Sequence, residues 1–334
     1  MAISPEHWEA RIGRRLRIRD LHVFITAIHC GSMAQAARQL AISQPAVSKA
    51  VNDLEHVLGV RLLDRGSQGI SPTLYGTALA HRSLAAFDEL RQAVRDIEFI
   101  ANPRVGDVWI GCNESLSAAL MPAVIEKLSH EHPGISVHLS PMSRPITQDI
   151  RHLRERSVDL IVGRGVFQIP EDDLNVDVLF EEPLMVVTGV KSLWARRRKL
   201  ALSDLGTAKW IMYPPDEAPG TLVEQAFRKQ GVAMPRASVT TNSFHLRGTL
   251  LAKGDYVTVV PACMLRVFNS QKKTVEALPI DLKIPVRPVA IFTLKNRLLS
   301  PVAGLVIKCI HAAAVQYGVP AARSGGSRAS AALN

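Results

Sequence analysis

Residues 32–51, Ser-Met-Ala-Gln-Ala-Ala-Arg-Gln-Leu-Ala-Ile-Ser-Gln-Pro-Ala-Val-Ser-Lys-Ala-Val, constrain this chain more than any other stretch. They predict two short helices joined by a tight turn. Ser32 suits the N-cap of a first helix over residues 33–40, because its hydroxyl can accept an orphan backbone N–H. The small pair Ala36-Ala37 lets a second helix cross closely, and Ala41-Ile42 makes the turn. Ser43 caps the second helix, and Pro45 is tolerated in its first turn, where no intrahelical donor is missed. Val47, Val51, Leu54 and Leu58 recur at helical spacing and are expected to face a core. Gln44, Ser48, Lys49 and Asn52 are left on the outer face, with Ser32 and Gln35 of the first helix completing the set. Amide, hydroxyl and cationic groups in this arrangement suit base edges and phosphates of a DNA major groove. A corner of an ordinary helical bundle would have the same outline, but the flanks argue for DNA. Leu21, Phe24, Ile25 and Ile28 form the apolar stripe of a supporting helix upstream. Downstream, Arg61-Leu-Leu-Asp-Arg65, Gly66-Ser-Gln-Gly69 and Ile70-Ser-Pro-Thr-Leu74 read as strand, glycine-rich tip and strand, a small wing carrying Arg65.

Bulk properties agree. A chain of 334 residues allows two or three domains, and 47% apolar residues supply sizeable cores. No run of about 18 apolar residues occurs, so no membrane span is expected. Residues 1–12 carry Glu6, His7 and Glu9 and no apolar segment, unlike a secretory signal. Cys30, Cys112, Cys263 and Cys309 are too scattered for a disulfide framework or a CxxC metal site, which fits a cytoplasmic protein. The net charge of +10 favours a polyanionic partner, although residues 1–104 hold 13 Lys/Arg against 10 Asp/Glu. Much of the surplus therefore lies further on, as in Arg196-Arg-Arg-Lys199, which reads as a solvated face. Residues 1–15 form a short basic extension. Residues 319–334, rich in Ala, Ser, Gly and Arg, are expected to be disordered.

After the wing, residues 75–101 contain no proline and no glycine beyond Gly76, which favours one long helix. Phe87, Leu90, Val94 and Ile97 follow a 3-4-3 spacing, with Ala101 continuing it. That seam suits a helix partner, and a second copy of the chain is the preferred one: a lone helix-turn-helix reads few bases, whereas a dimer reads two half-sites. Asn102-Pro-Arg-Val-Gly106 ends the helix.

Residues 106–318 alternate short apolar strands with amphipathic helices, an α/β signature. They also repeat. Trp109-Ile110 opens a strand, a helix follows around residues 120–128, and Pro133 precedes a strand over 135–139. Trp210-Ile211, residues 222–227, Pro235 and residues 237–241 do the same. Ser143 and Ser243 then each precede a helix that ends before a strand, Asp159-Leu-Ile-Val162 and Asp255-Tyr-Val-Thr-Val-Val260. Two similar lobes imply a cleft between them. The expected crossovers lie near Gly163-Arg-Gly165 and Pro261-Ala-Cys263, giving a first lobe of about 106–162 and 266–318 and a second of about 163–265. Ligands of such lobes sit at the carboxyl ends of the strands. This places Asn113, Glu114 and Ser115, then Met142, Ser143 and Arg144, then Tyr213 and Pro215 (with Asp216 following), then Ser243 and Phe244 around the site. Helix N-termini and the Arg144 fork favour a small anion there. Glu114 runs against that reading; it can pair with Arg144 or accept from a ligand hydroxyl or amine. Cys112 lies beside this site with no second cysteine near it in sequence, so a redox role is disfavoured.

No Gly-x-Ser-x-Gly elbow, GxxxxGK[ST] loop or GxGxxG occurs, so no enzyme and no cofactor is expected. His130-Glu-His132 with His138 reads as a solvated helix end rather than a metal site.

Residues 17–76 resemble the winged helix-turn-helix of LysR-type transcriptional regulators. The resemblance rests on Asp20-Leu-His-Val-Phe24, Gly31-Ser-Met-Ala-Gln-Ala-Ala37, Gln44-Pro-Ala-Val-Ser48, Leu54-Glu55, Leu58-Gly59, Leu62-Leu-Asp-Arg65 and Thr73-Leu-Tyr-Gly76, in order and spacing. Leu63 and Pro72 depart from the family's usual Phe and Leu, both within the wing. The two-lobed region resembles the same family's effector domain, so the likeness extends over about 17–318. It implies a DNA-binding domain over 16–76, a linker and dimerisation helix over 77–102, and a periplasmic-binding-protein-like effector domain over 103–318. It further implies operator or promoter DNA, RNA polymerase and a small-molecule effector as partners, in a homodimer or homotetramer. The rivals are a solute-binding module or metabolic enzyme with an incidental helical cap, and an effector-independent nucleoid-type DNA binder. The wing segment also looks like that of family members controlling sugar or aromatic-acid catabolism.

Overall fold

The computed structural model describes residues 15–66, 69–165, 172–215 and 217–317. The N-terminal extension up to residue 14, residues 67–68, residues 166–171, Asp216 and the tail from residue 318 lie outside them. The chain divides into two compact units at Val94/Arg95, inside a long helix.

In the first unit, α1 (Ile18–Cys30), α2 (Met33–Gln39) and α3 (Gln44–Leu58) precede a hairpin of β1 (Leu63–Gly66) and β2 (Gly69–Pro72), then α4 (Leu74–Ala101). The caps are the expected ones. Ser32 Oγ accepts from the Gln35 N–H at 3.5 Å, and Ser43 Oγ from the Ala46 N–H at 3.3 Å. Ala41 turns the chain with φ 53°, a left-handed conformation that non-glycine residues rarely hold. Phe24, Ala27, Ala36, Val47, Val51 and Leu54 form the buried core, with Leu58 packed at its edge. The wing hangs on Glu55, whose carboxylate accepts from the N–H groups of Leu62 (2.7 Å) and Leu63 (3.2 Å). Gly76 starts α4 against the wing so closely that a Cβ there would run into the Leu62 carbonyl oxygen.

In the second unit, β3 (Val105–Cys112), α5 (Glu114–Ala119), α6 (Met121–Glu131), β4 (Gly134–Pro141), α7 (Ile146–Asp149), α8 (Arg151–Arg154), β5 (Leu160–Arg164) and β6 (Leu174–Glu182) come first. There follow β7 (Leu184–Gly189), β8 (Lys209–Met212), α9 (Ala218–Lys229), β9 (Ala237–Thr240), α10 (Phe244–Lys253), β10 (Tyr256–Pro261), α11 (Ala262–Phe268), β11 (Val275–Ala277), β12 (Arg287–Leu294) and α12 (Pro301–Ala314). They build two five-stranded sheets, ordered β4-β3-β5-β12-β6 and β9-β8-β10-β7-β11. Each has three parallel strands, which are the repeat seen in the sequence, followed by one strand that runs against them (β12 or β7) and an edge strand antiparallel to that one (β6 or β11). Val108, Ile110, Leu116, Met121 and Val306 head the core of the first lobe; Trp210, Phe227, Val257 and Val259 head that of the second.

The strand order moves the lobe boundaries. The chain stays in the first sheet through β6 and changes sheets at Pro183, between Glu182 and Leu184, and it returns between Ala277 and Arg287. The crossovers expected near residues 163–165 and 261–263 are therefore misplaced, because β5 and β10 are each completed by an antiparallel strand from elsewhere. β12 returns to pair with both β5 and β6, and β7 pairs with both β10 and β11.

Candidate nucleic-acid interface and ligand cleft

On the first unit, Gln35, Gln44, Pro45, Lys49 and Asn52 are exposed, while Ser48 is half-buried on the same helix. Arg65 of the wing donates to Asn52 Oδ1 at 2.9 Å, so the wing's cation is held beside the second helix of the pair. Ser32 and Ser43 serve as helix caps, and Ser43 is itself exposed. The result is a set of exposed amides, hydroxyls and cations on the helix pair and the wing beside it.

Along α4, Leu90 (48% exposed), Val94 (54%) and Ile97 (66%) are open to solvent in the single chain. Ile100 extends this row. Phe87 differs: it is half-buried against the first unit's core, and its ring lies 5.7 Å from that of His22.

In the second unit the strand ends enclose a cleft of about 150 Å³. Asn113, Glu114, Ser115, Met142, Ser143, Arg144, Tyr213 and Phe244 line it as expected. Ser243 does not line it; its hydroxyl accepts from the Leu246 N–H at 3.2 Å and caps α10. Pro215 is also absent from the lining. The walls are largely apolar, with Ile146, Ile161, Val162, Leu184 and Leu222 contributing.

The floor is an ionic knot. Arg164 pairs with Glu182, donates to Ser115 Oγ at 2.8 Å and reaches Asn113 Oδ1 at 3.3 Å. Glu182 in turn accepts from the Cys263 N–H at 2.7 Å. Ser115 is thus engaged by protein already. Glu114 is not paired with Arg144: its carboxylate accepts from the Phe244 N–H at 3.2 Å, whereas Arg144 donates to Gln148 at 3.4 Å. Arg144 and Arg287 both line the cleft, and neither forms a direct salt bridge among the described residues, although the Asp149 carboxyl lies within electrostatic reach of Arg144. Burial pulls the Arg287 pKa down from its ordinary value, the signature of a cation with nothing to offset its desolvation.

Asn242, of the turn before α10, lines the cleft as its neighbour Phe244 does, whereas sequence reasoning missed Arg287, Arg164, Asp149 and Glu217, all on the lining. Each reaches the cleft from a segment that carries no motif. Arg287, for instance, opens β12, a strand in the other half of the unit's sequence from Arg144. Burial pushes the Cys112 thiol up to about 12, and Cys263 also upward, so neither is a thiolate at neutral pH. His138 stacks on Trp109 with ring centroids 4.6 Å apart and meets Asp107 at 2.9 Å.

Asp149 gives this site a pH signature. Burial pushes its carboxyl from 3.8 to about 6, against the lowering pull of His152, the Arg144 backbone N–H, Arg151 and the Arg144 guanidinium. The folded state therefore holds this proton at higher pH than the unfolded chain does. Its ionisation costs stability above pH 6, and the cost fades as the pH falls from about 6 to about 4. Asp149→Asn is expected to raise Tm at pH 7.5 by about 2–4 °C, since water at the cleft limits the gain to about 1 kcal/mol. At pH 4 the two proteins should melt together. Melting curves at both values check this, and an equal gain at both would exclude the ionisation as its cause.

Comparison with known proteins converges on one class. Residues 18–77 match the bacterial regulatory helix-turn-helix protein model of the lysR family, and residues 101–315 match the LysR substrate binding domain. The chain belongs to the LysR family: it is a LysR-type transcriptional regulator with a substrate-binding domain. It is 28% identical over 310 residues to the HTH-type transcriptional regulator GbpR of Azospirillum brasilense, covering 92% of this chain and 89% of that one. It is 25% identical over 292 residues to the HTH-type transcriptional regulator TdcA of Escherichia coli K12, covering 87% and 91%. The fold is that of a full-length OxyR variant from Pseudomonas aeruginosa, with TM-score 0.62, 20% identity and 90% and 94% of the two chains covered. No helix among the described residues is long and apolar enough to cross a membrane.

Proposed function

We propose that this regulator acts in the cytoplasm as an effector-gated homo-oligomer, a dimer or a pair of dimers. Its helix pair and wing read operator DNA through Gln35, Gln44, Ser48, Lys49, Asn52 and Arg65, with Pro45 and the capped ends at Ser32 and Ser43 setting the helix on the groove. Its α4 seam, Leu90, Val94 and Ile97, pairs subunits. A small anion binds between the lobes and favours one arrangement of them. That changes how paired subunits present their recognition helices, and hence their contact with RNA polymerase. The observation that carries the anionic reading is that two guanidiniums, Arg144 and Arg287, line one largely apolar cleft and neither is tied up in a direct salt bridge among the described residues. The cleft's volume suits a compact ligand, near the size of a cavity known to hold one benzene ring.

A screen of small carboxylates by thermal shift on the full-length protein identifies the ligand, since a compound that binds only the folded state raises its stability. With that compound, Arg144→Ala should weaken binding by about 1.5–3 kcal/mol, the range for a charge-assisted hydrogen bond, and leave effector-free DNA binding intact. Calorimetry decides it; undiminished binding, or a cationic effector, would overturn the anion cleft.

DNA reading has its own test. Gln44→Ala should cost about 1–3 kcal/mol on operator DNA if Gln44 makes a bidentate base contact, and far less on random DNA. Equal losses on both would make Gln44 a backbone contact.

A further inference from the structure

The proposed anion cleft carries carboxylates of its own, and one of them, Glu114, reaches from the first lobe to the second. Glu114 stands at the start of α5 in the first lobe, and its carboxylate accepts from the N–H of Phe244, the first residue of α10 in the second lobe. It occupies the positive end of a ten-residue helix, the place where a ligand's charge would otherwise settle. A second feature marks that place as built for negative charge. Arg247, on α10, is completely buried and forms no direct salt bridge among the described residues; the one carboxylate whose field reaches it is Glu114. Its guanidinium donates to the carbonyl oxygens of Ile211 (3.1 Å), Met212 (2.8 Å) and Thr241 (2.5 Å), and lies 3.7 Å from the Tyr213 ring centroid. Its Nε finds no acceptor, and the Tyr213 hydroxyl in the cleft wall is likewise buried without a partner. A desolvated cation behind the wall and a helix amino end at its edge give this side of the cleft a positive field.

We propose that Glu114 is the resident counter-anion of this cleft: it ties the two lobes together through α10 and decides where a ligand can carry negative charge. The proposal rests on the anion-cleft reading above and deepens it. With Glu114 seated, ligand charge is confined to the Arg144 and Arg287 side. The opposite end of the ligand then meets a carboxylate, which rewards a hydroxyl or amine and penalises a second negative charge. The ligand class is a compact monoanion with a hydrogen-bond donor at its far end. A dianion enters only by displacing Glu114 from the Phe244 N–H, and displacement cuts the interlobe tie.

Sulfate, a compact dianion, is the probe. Full-length wild type, Glu114→Gln, Glu114→Ala, Arg144→Ala and Arg287→Ala are titrated calorimetrically with sodium sulfate at constant ionic strength. Glu114→Gln keeps the shape and an accepting oxygen but removes the charge, so it should bind sulfate about tenfold tighter than wild type, and Glu114→Ala at least as tightly. Amide hydrogen exchange over residues 243–248 supplies the second reading. The Phe244 amide should exchange faster in Glu114→Ala, and sulfate should restore its protection. Sulfate affinity unchanged or weaker in both Glu114 variants, or Phe244 exchange unchanged, overturns the proposal. If Arg144→Ala and Arg287→Ala lose sulfate while the Glu114 variants match wild type, the anion cleft stands and Glu114 is not its counter-anion. If no variant binds sulfate, Glu114→Ala included, both fall.

Discussion

Arg297→Met should lower the stability of the second unit by about 3–5 kcal/mol, the usual loss when one partner of a buried ion pair is removed. Asp159 and Arg297 are both almost fully buried, with side-chain exposures of 3% and 2%. Arg297 donates to Asp159 Oδ1 at 2.8 Å and to the Val158 carbonyl at 2.8 Å, while the other carboxylate oxygen accepts from the Trp109 N–H at 2.9 Å. One carboxylate thereby joins β3, the start of β5 and the loop before α12. Methionine fills similar space and leaves the carboxylate to Arg95, a cation 3.4 Å away and 27% exposed. The melting temperature of this unit should fall by about 6–20 °C. Adding Asp159→Asn should recover part of the loss, since the uncompensated charge is then gone. Calorimetric melts of wild type, single and double variants measure it; a loss under about 1 kcal/mol for Arg297→Met would mean that Arg95 and water suffice for Asp159.

The second large effect falls on assembly. Leu90→Glu with Val94→Glu should leave the folded chain's stability within about 0.5 kcal/mol, because both side chains are already solvent-facing in the single chain. The oligomer should dissociate, and operator affinity should fall by about 10²–10⁴-fold, the advantage of holding two half-sites in one particle. Light scattering and operator titration report the two effects. An unchanged oligomer in the double variant would mean that subunits pair through another surface. Phe87 is left out of this test because it packs with His22, so its replacement would also injure the first unit's core.

How much of this was legible beforehand differs by element. The helix-turn-helix could be read because its signals are short-range. Ser32 and Ser43 cap helices that begin one residue later, and Val47, Val51 and Leu54 sit one turn apart on a single buried face. The three parallel strands of each lobe were equally readable, since Trp109 and Trp210 mark the first strands of matching strand–helix–strand units, although β3 begins four residues ahead of Trp109. The closing strands were not. β6, β7, β11 and β12 are apolar segments like any others, and their exchange between sheets is decided by pairing partners far away in sequence. The lobe boundary was misjudged for this reason.

The sequence by itself determined the winged DNA-binding unit, the long helix with its exposed apolar row, and two α/β lobes with strand ends facing a cleft. Periodicity and capping are properties of neighbouring residues, and they survive without knowledge of the rest of the chain. Only the tertiary structure decided which charges meet. Glu114 finds the Phe244 N–H across 130 residues, and Arg297 finds Asp159 across 138. Neither pair carries a local mark, because a lone charged residue reads the same whether it ends in water or in a partner's reach. Its partner is set by the closing of the sheets, and with it whether the residue lies buried in an ion pair, as Arg297 does, or reaches across the cleft to a backbone N–H, as Glu114 does.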